Sequence, residues 1–181
     1  MYLLSSYILE MHIVVDENPI AIKRATIKNI PELKSEYRIE FSFKMPEIND
    51  AGFKHVFQIK SHNGIHLAGM FIRQSEVKEK EYFKTKLFEI RSYGTKDGKE
   101  AINLPEALVK IIFGQWTRFS FVKRKDGYDL YSETKKLVSS TPPLSVVIPA
   151  ASNVAVTSGA DTTIEVIEES YLKNFYVYNK N

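Results

Sequence analysis

The 181-residue chain has no cysteine, which excludes a disulfide framework, a thiolate-bound zinc and a cysteine nucleophile. A strong charge of one sign is also missing. Lys and Arg number 25 against 22 Asp and Glu, a formal net charge of +3, so the pI near 8.9 reflects near-balance. Dedicated nucleic-acid binders concentrate far more positive charge, and no nucleic-acid partner is expected. No stretch approaches the roughly 20 uninterrupted apolar residues of a spanning helix, so no membrane span is expected. The N-terminal MYLLSSYILEMHIVV lacks a positively charged leader, and Glu10 and His12 interrupt its apolar run, which argues against an intact secretory signal. A Gly-rich phosphate loop and a G-x-S-x-G nucleophile turn are absent too.

What the chain does have is alternation. Its 44% hydrophobic and 26% charged residues suit one globular domain spanning 1–181, long enough to bury a full core. In EYRIEFSFKM, Tyr37, Ile39, Phe41 and Phe43 share one parity and Arg38, Glu40, Ser42 and Lys44 the other, the pattern of a half-buried strand. FKHVFQIKS, AGMFIRQ, KLFEIRS, YDLYSE, SVVIP, NVAVTS, TTIEVIE and LKNFYVY continue the series, with breakers at Pro31, Pro46, Asn49 to Gly52, His62 to Gly64, Pro142-Pro143 and Ser158 to Asp161. Many short strands predict an all-β, two-sheet antiparallel sandwich. At most one or two short helices are expected. SEVKEKEYFKTK from Ser75 reads as a solvated loop or helical turn, and NLPEALVKII offers Asn103 as N-cap with Pro105 and Glu106 in a first helical turn.

The stretch from Gly114 to Leu137 holds the only tryptophan beside the densest cationic run. Trp116, Arg118, Ser120 and Val122 alternate with Thr117, Phe119, Phe121 and Lys123, and an Asp-Gly turn follows before Tyr128, Leu130 and Tyr131, which reads as a β-hairpin. Lys123, Arg124 and Lys125 are expected at a solvated tip. Trp116 is expected to anchor the core or its rim, with Trp116→Ala costing about 3–5 kcal/mol.

Sugar recognition needs an aromatic surface against the apolar side of a pyranose and planar polar groups for its hydroxyls. The polar parities offer Arg38, Gln58, His62, Asn63, Arg73, Arg91, Tyr93 and Arg118 for such contacts, several projecting from neighbouring strands of one concave sheet. That set suits an acidic glycan. The alternative is that the arginines pair with carboxylates such as Glu40 and Glu89. His55, His62 and His66 cluster in sequence, but the Asn63-Gly64 turn removes the helical frame that suits a His pair four apart for zinc, so no metal site is assigned.

FGQWTRFSFVKRKDGYDLY, Phe113 to Tyr131, resembles the G-x-W hairpin with a D-G-x-(Leu/Val)-Tyr turn of concanavalin A-like lectins and glucanases, including laminin-G-like domains. YRIEFSFKMPE and YLKNFYVYN resemble that family's early strand and the last strand, which returns beside the first. The resemblance implies a jelly-roll sandwich, carbohydrate or glycoconjugate binding, and an extracellular or cell-surface setting. It also raises a protein-interaction module of laminin-G type. Lectins of this fold bind calcium through Asp and Asn loops, but Asp50, Asp97 and Asp161 stand singly, so no cofactor is expected. The E-x-D-x-E strand of glucanases, which sets two carboxylates about 5 Å apart, and the H-x-N-x-R strand of galectins are both absent.

A narrower resemblance is to alginate- and heparin-lyase-type polysaccharide lyases. Arg38 and Glu40 stand on an arginine strand, Gln58-Ile59-Lys60 stands where a Q-I-H strand would be, and Tyr171, Lys173, Tyr176 and Tyr178 stand on the closing strand. β-Elimination needs a group to neutralise a uronate carboxylate, a base for the C5 proton and an acid for the leaving oxygen. The resemblance gives Gln58 and Arg38 the first role and Tyr176 or Tyr178 the others. Lys60 replaces the histidine, and His62, two residues on and of the same parity, is the substitute base.

Overall fold

The computed structural model describes residues 9–48, 54–62, 66–74, 82–87, 89–91, 101–103, 107–140, 150–159 and 166–180. These carry fifteen strands. The first five are β1 (Leu9–Val15), β2 (Ile20–Ala21), β3 (Ala25–Leu33), β4 (Tyr37–Lys44) and β5 (Lys54–Lys60). Then come β6 (His66–Gln74), β7 (Tyr82–Leu87), β8 (Glu89–Arg91), β9 (Ala101–Asn103) and β10 (Ala107–Lys110). The last five are β11 (Thr117–Arg124), β12 (Gly127–Ser132), β13 (Lys135–Ser140), β14 (Ala151–Ser158) and β15 (Tyr171–Lys180). No helix occurs among the described residues.

Two antiparallel sheets face each other. The seven-stranded sheet runs β1-β15-β4-β11-β12-β13, with β2 also paired to β15; the six-stranded sheet runs β10-β7-β6-β5-β14-β3. A β8-β9 ribbon stands apart from both ladders. The expected return of the last strand beside the first is observed, with Leu9 opposite Lys180 and Met11 opposite Tyr178.

Alternation explains the layer between the sheets. Ile39, Phe41 and Phe43 of β4 are fully buried, and Phe119 and Phe121 of β11 lie opposite Phe41 and Ile39. Phe41 stacks on Phe119 at 5.4 Å and on Phe175 at 5.6 Å, and meets Phe57 of the other sheet edge-on at 5.0 Å. Burying a ring of this size stabilises the fold by roughly 1.5–3 kcal/mol, so these rings clamp the sheets together.

Three local expectations are corrected. Ala107–Lys110 is a strand paired to β7, not a helix after Asn103. Val109 and Ile111 are buried while Lys110 and Ile112 are exposed, a period of two that the capping signal concealed. Within the segment from Ser75, Tyr82–Leu87 is strand; residues 75–81 lie outside the described residues. In the hairpin, Arg124 pairs with Gly127, so Lys125 and Asp126 make the turn in place of Asp126-Gly127. Lys123 is not at a wet tip. It faces inward, 7% exposed, between Tyr37 and Tyr128.

β15 carries the irregularity that matters most for the outer surface. Lys173 lies opposite Ser42 and Tyr176 opposite Glu40, so three steps on β15 match two on β4. The extra residue is a β-bulge at Asn174, whose φ of 50° is left-handed, a region asparagine tolerates better than most residues. The Asn174 N–H donates to the Asp16 carbonyl at 2.7 Å, which fixes the bulge.

Candidate functional site

The bulge puts Lys173, Tyr176 and Tyr178 on one face, the outer face of the seven-stranded sheet, while Phe175 and Val177 point into the core. Successive rows cross that face. Tyr171, Lys44 and the approach to β11 at Trp116 form one; Lys173, Ser42 and Arg118 form the next. Ile13, Tyr176, Glu40, Ser120 and Tyr131 follow, and then Met11, Tyr178, Arg38, Val122 and Asp129.

Two carboxylates neutralise most of the cations. Glu40 is buried, with a side chain 10% exposed, and accepts from Arg118 Nη2 at 2.7 Å on one oxygen while pairing with Arg38 on the other. Arg38 Nε also donates to Ser120 Oγ at 3.1 Å. The hydrogen bond to Glu40, reinforced by its charge, raises the Arg118 pKa above the ordinary arginine value. Asp129, with a side chain 2% exposed, pairs with Arg124 and with Lys136 at 2.9 Å and accepts from Ser139. The Arg38 and Arg118 pairing with Glu40 matches the alternative posed for those arginines.

Trp116 has no such fate. It is half-buried on the outside of the sheet, not a core anchor, because it shares parity with Arg118 and not with Phe119. Lys173 Nζ lies 4.5 Å from its ring centroid and Lys44 Nζ 5.2 Å, and Lys44 is also 5.3 Å from the Tyr171 ring. Among the described residues, neither lysine has a carboxylate within ion-pair distance. Both ammoniums lie within cation–π range of the indole. Lys44, Tyr171 and Trp116 as a ligand surface were not singled out from sequence; the signal was parity, since all alternate with the core phenylalanines.

The lyase set does not assemble. Arg38 and Tyr176 are on the outer face of the seven-stranded sheet, whereas Gln58 belongs to the other sheet, buried at 3% exposure and opposite Thr157 and Gly69. His62 follows β5 and is exposed, lining a cleft of about 570 Å³ with Asn29, Pro31, Ser61 and Asn153. Burial, with the Glu40 charge adding to it, raises the Tyr178 pKa, which keeps this phenol protonated and unsuited to act as a base. Arg73 lies on β6 and Arg91 on β8, both away from Arg38 and Arg118; Asn63 and Tyr93 lie outside the described residues. His55 is buried, stacks on Phe71 at 4.5 Å, and its Nε2 lies 3.1 Å from the Phe57 carbonyl. Among the described residues no group of three His, Asp or Glu is placed to hold a metal, and no helix is long and apolar enough to cross a membrane.

No family model matches the sequence, and no curated protein matches it. Solved structures do. The binding domain of botulinum neurotoxin serotype D superposes with a TM-score of 0.60 at 10% identity, covering 98% of this chain and 44% of that one. A heptameric SAP-like pentraxin from Limulus polyphemus superposes with a TM-score of 0.56 at 10% identity, covering 93% of this chain and 75% of that one. An alginate lyase from Alteromonas sp.272 is also among the similar structures, with a TM-score of 0.46, 9% identity, and coverage of 99% and 90%. The chain thus spans less than half of the neurotoxin domain. At 10% identity the likeness to the pentraxin and the neurotoxin binding domain shows the fold alone, a two-sheet antiparallel β-sandwich.

Proposed function

We propose that the protein is a carbohydrate-recognition domain without catalysis, and that an acidic glycan lies on the outer face of its seven-stranded sheet. One observation carries this reading: Trp116, Tyr131, Tyr171, Tyr176 and Tyr178 share that face and alternate there with Ser42, Ser120, Lys44, Lys173 and the two arginines. Aromatic rings offer surfaces to pyranose C–H faces, and the interleaved groups offer hydrogen bonds to hydroxyls. The ligand is read as acidic because the face keeps two cations, Lys44 and Lys173, that no carboxylate among the described residues offsets.

The test is a glycan panel read by amide and side-chain NMR shifts. Shifts confined to β4, β11 and β15 support the reading; a panel that moves no resonance at high protein concentration overturns it. Incubation with alginate or heparin separates binder from lyase. Ultraviolet-absorbing unsaturated ends would establish cleavage, and their absence is expected with Gln58 and Tyr176 on different sheets.

A protein-interaction module is the second reading. It is favoured by Met11 and Ile13, which are 51% and 44% exposed and continue the Tyr178 and Tyr176 rows outward. A blank glycan panel would put it ahead.

A further inference from the structure

Not every cation on the outer face can receive an acidic ligand. Arg38 and Arg118 hold Glu40, and Arg124 and Lys136 hold Asp129, so a ligand anion approaching any of these must compete with an internal carboxylate. Lys44 and Lys173 face no such competitor among the described residues. They share the Trp116 ring, at 5.2 Å and 4.5 Å. Two ammoniums held at one indole repel each other, and an anion bound by both adds two attractions that offset that repulsion.

We propose that Lys44, Lys173 and Trp116 form a subsite for the anionic group of a saccharide unit, a uronate carboxylate or a sulfate ester. The proposal rests on the glycan reading above and deepens it: charge selectivity resides in this corner and not in the arginines. In the free protein the indole serves as counter-group to both lysines. When ligand binds, the ammoniums turn to its anion and the indole surface they vacate takes the sugar ring. Ser42, which lies between Lys173 and Arg118 in register, and Tyr171, opposite Lys44, border the subsite with hydroxyls. Charge-assisted hydrogen bonds from ammonium to carboxylate or sulfate are about twice as strong as neutral ones, so they dominate the choice between acidic and neutral sugars.

The chain reports on this corner by itself, because Trp116 is its only tryptophan. Intrinsic fluorescence is titrated with oligomannuronate, heparin oligosaccharide, neutral cello-oligosaccharide, a single-stranded oligonucleotide and sodium sulfate. The proteins are the parent, the double variant Lys44→Gln/Lys173→Gln, and Lys125→Gln at the exposed hairpin turn. The parent should bind an acidic oligosaccharide with a change in Trp116 emission. The double variant should lose roughly tenfold or more in affinity, with a shallower salt dependence, while Lys125→Gln matches the parent. Oligomannuronate carries carboxylates alone whereas heparin carries both uronate carboxylates and sulfates, so equal binding of the two shows that a carboxylate suffices.

If acidic glycans bind the double variant as tightly as the parent, the subsite is wrong while the glycan reading stands. If no glycan binds the parent by fluorescence or NMR, the glycan reading fails and takes the subsite with it. Sulfate alone reproducing the emission change at equal concentration would reduce the site to an inorganic-anion site. An oligonucleotide binding more tightly through the same two lysines would replace the saccharide with a nucleic acid.

Discussion

Arg118 reaches across the ladder from β11 to one oxygen of Glu40 at 2.7 Å, so its charge is engaged before any ligand arrives. Arg38 takes the other oxygen. Glu40 is buried beneath two guanidiniums that remain about half exposed, which limits the strength of either pair. Glu40→Gln should cost about 1–2 kcal/mol in urea unfolding. The same change releases two cations onto the outer face, and affinity for acidic oligosaccharides should rise. Unchanged stability together with unchanged binding would contradict this account.

Trp116 and Phe41 separate surface from core. Phe41 is 1% exposed and touches Phe57, Phe119 and Phe175, so Phe41→Ala should cost about 3–5 kcal/mol. Trp116 is half-buried on the sheet exterior, and Trp116→Ala should cost only about 1 kcal/mol while abolishing glycan binding. Thermal melts compare the two directly, and equal losses would return Trp116 to a structural role.

Asp129 is the more deeply buried carboxylate of the outer face, and its partners Arg124 and Lys136 sit above it. Neutralising it strands both cations over a site built for charge. Asp129→Asn should therefore cost about 2–3 kcal/mol in urea unfolding, more than Glu40→Gln.

Alkaline pH should reveal the inward row of Tyr37, Lys123 and Tyr128. Burial lowers the Lys123 pKa from the ordinary 10.5, so just below that value the unfolded chain holds more protons than the folded one. Stability then rises with pH in that window. Burial raises the Tyr37 and Tyr128 pKa values above 10, so the folded state keeps protons that the unfolded chain loses, and stability falls as pH climbs past 10. Urea midpoints from about pH 8 to about pH 11 should show the rise vanish in Lys123→Met and the fall shrink in Tyr128→Phe. The Tyr128 hydroxyl is buried without a hydrogen-bond partner among the described residues, so Tyr128→Phe should also hold or raise stability at neutral pH.

Much of the sandwich was legible because burial in a strand repeats every second residue. The parity of Phe119 and Phe121 foretold the inner face of β11, and the same parity already put Trp116 outside; the general tendency of tryptophan to be buried masked it. Asn103, Pro105 and Glu106 resemble a helix start, yet Val109 and Ile111 are both buried, which only a strand allows at that spacing. The candidate site was legible by strand and not by sheet. Arg38, Arg118 and Tyr176 share a face, but nothing local to Gln58 or His62 reveals which sheet β5 joins, since that follows from pairing with β14 far along the chain. The reservation of Arg38 and Arg118 by Glu40 was posed as an alternative, and only cross-strand register settles it.

The left-handed residue Asn174 sets the phase of the C-terminal strand. Ahead of it, odd-numbered side chains such as Tyr171 and Lys173 look outward; beyond it, even-numbered ones such as Tyr176 and Tyr178 do. Flattening the bulge so that Asn174 took its own place in the ladder, with the pairing of Lys173 held, would turn the strand's end inside out, presenting Phe175 and Val177 to solvent and driving two phenols toward the phenylalanine layer. The face thus depends on one backbone conformation as much as on chemistry: a strand lacking Asn174 altogether would pair without a bulge, Phe175 opposite Phe41 and Tyr176 opposite Glu40, and keep both tyrosines outside.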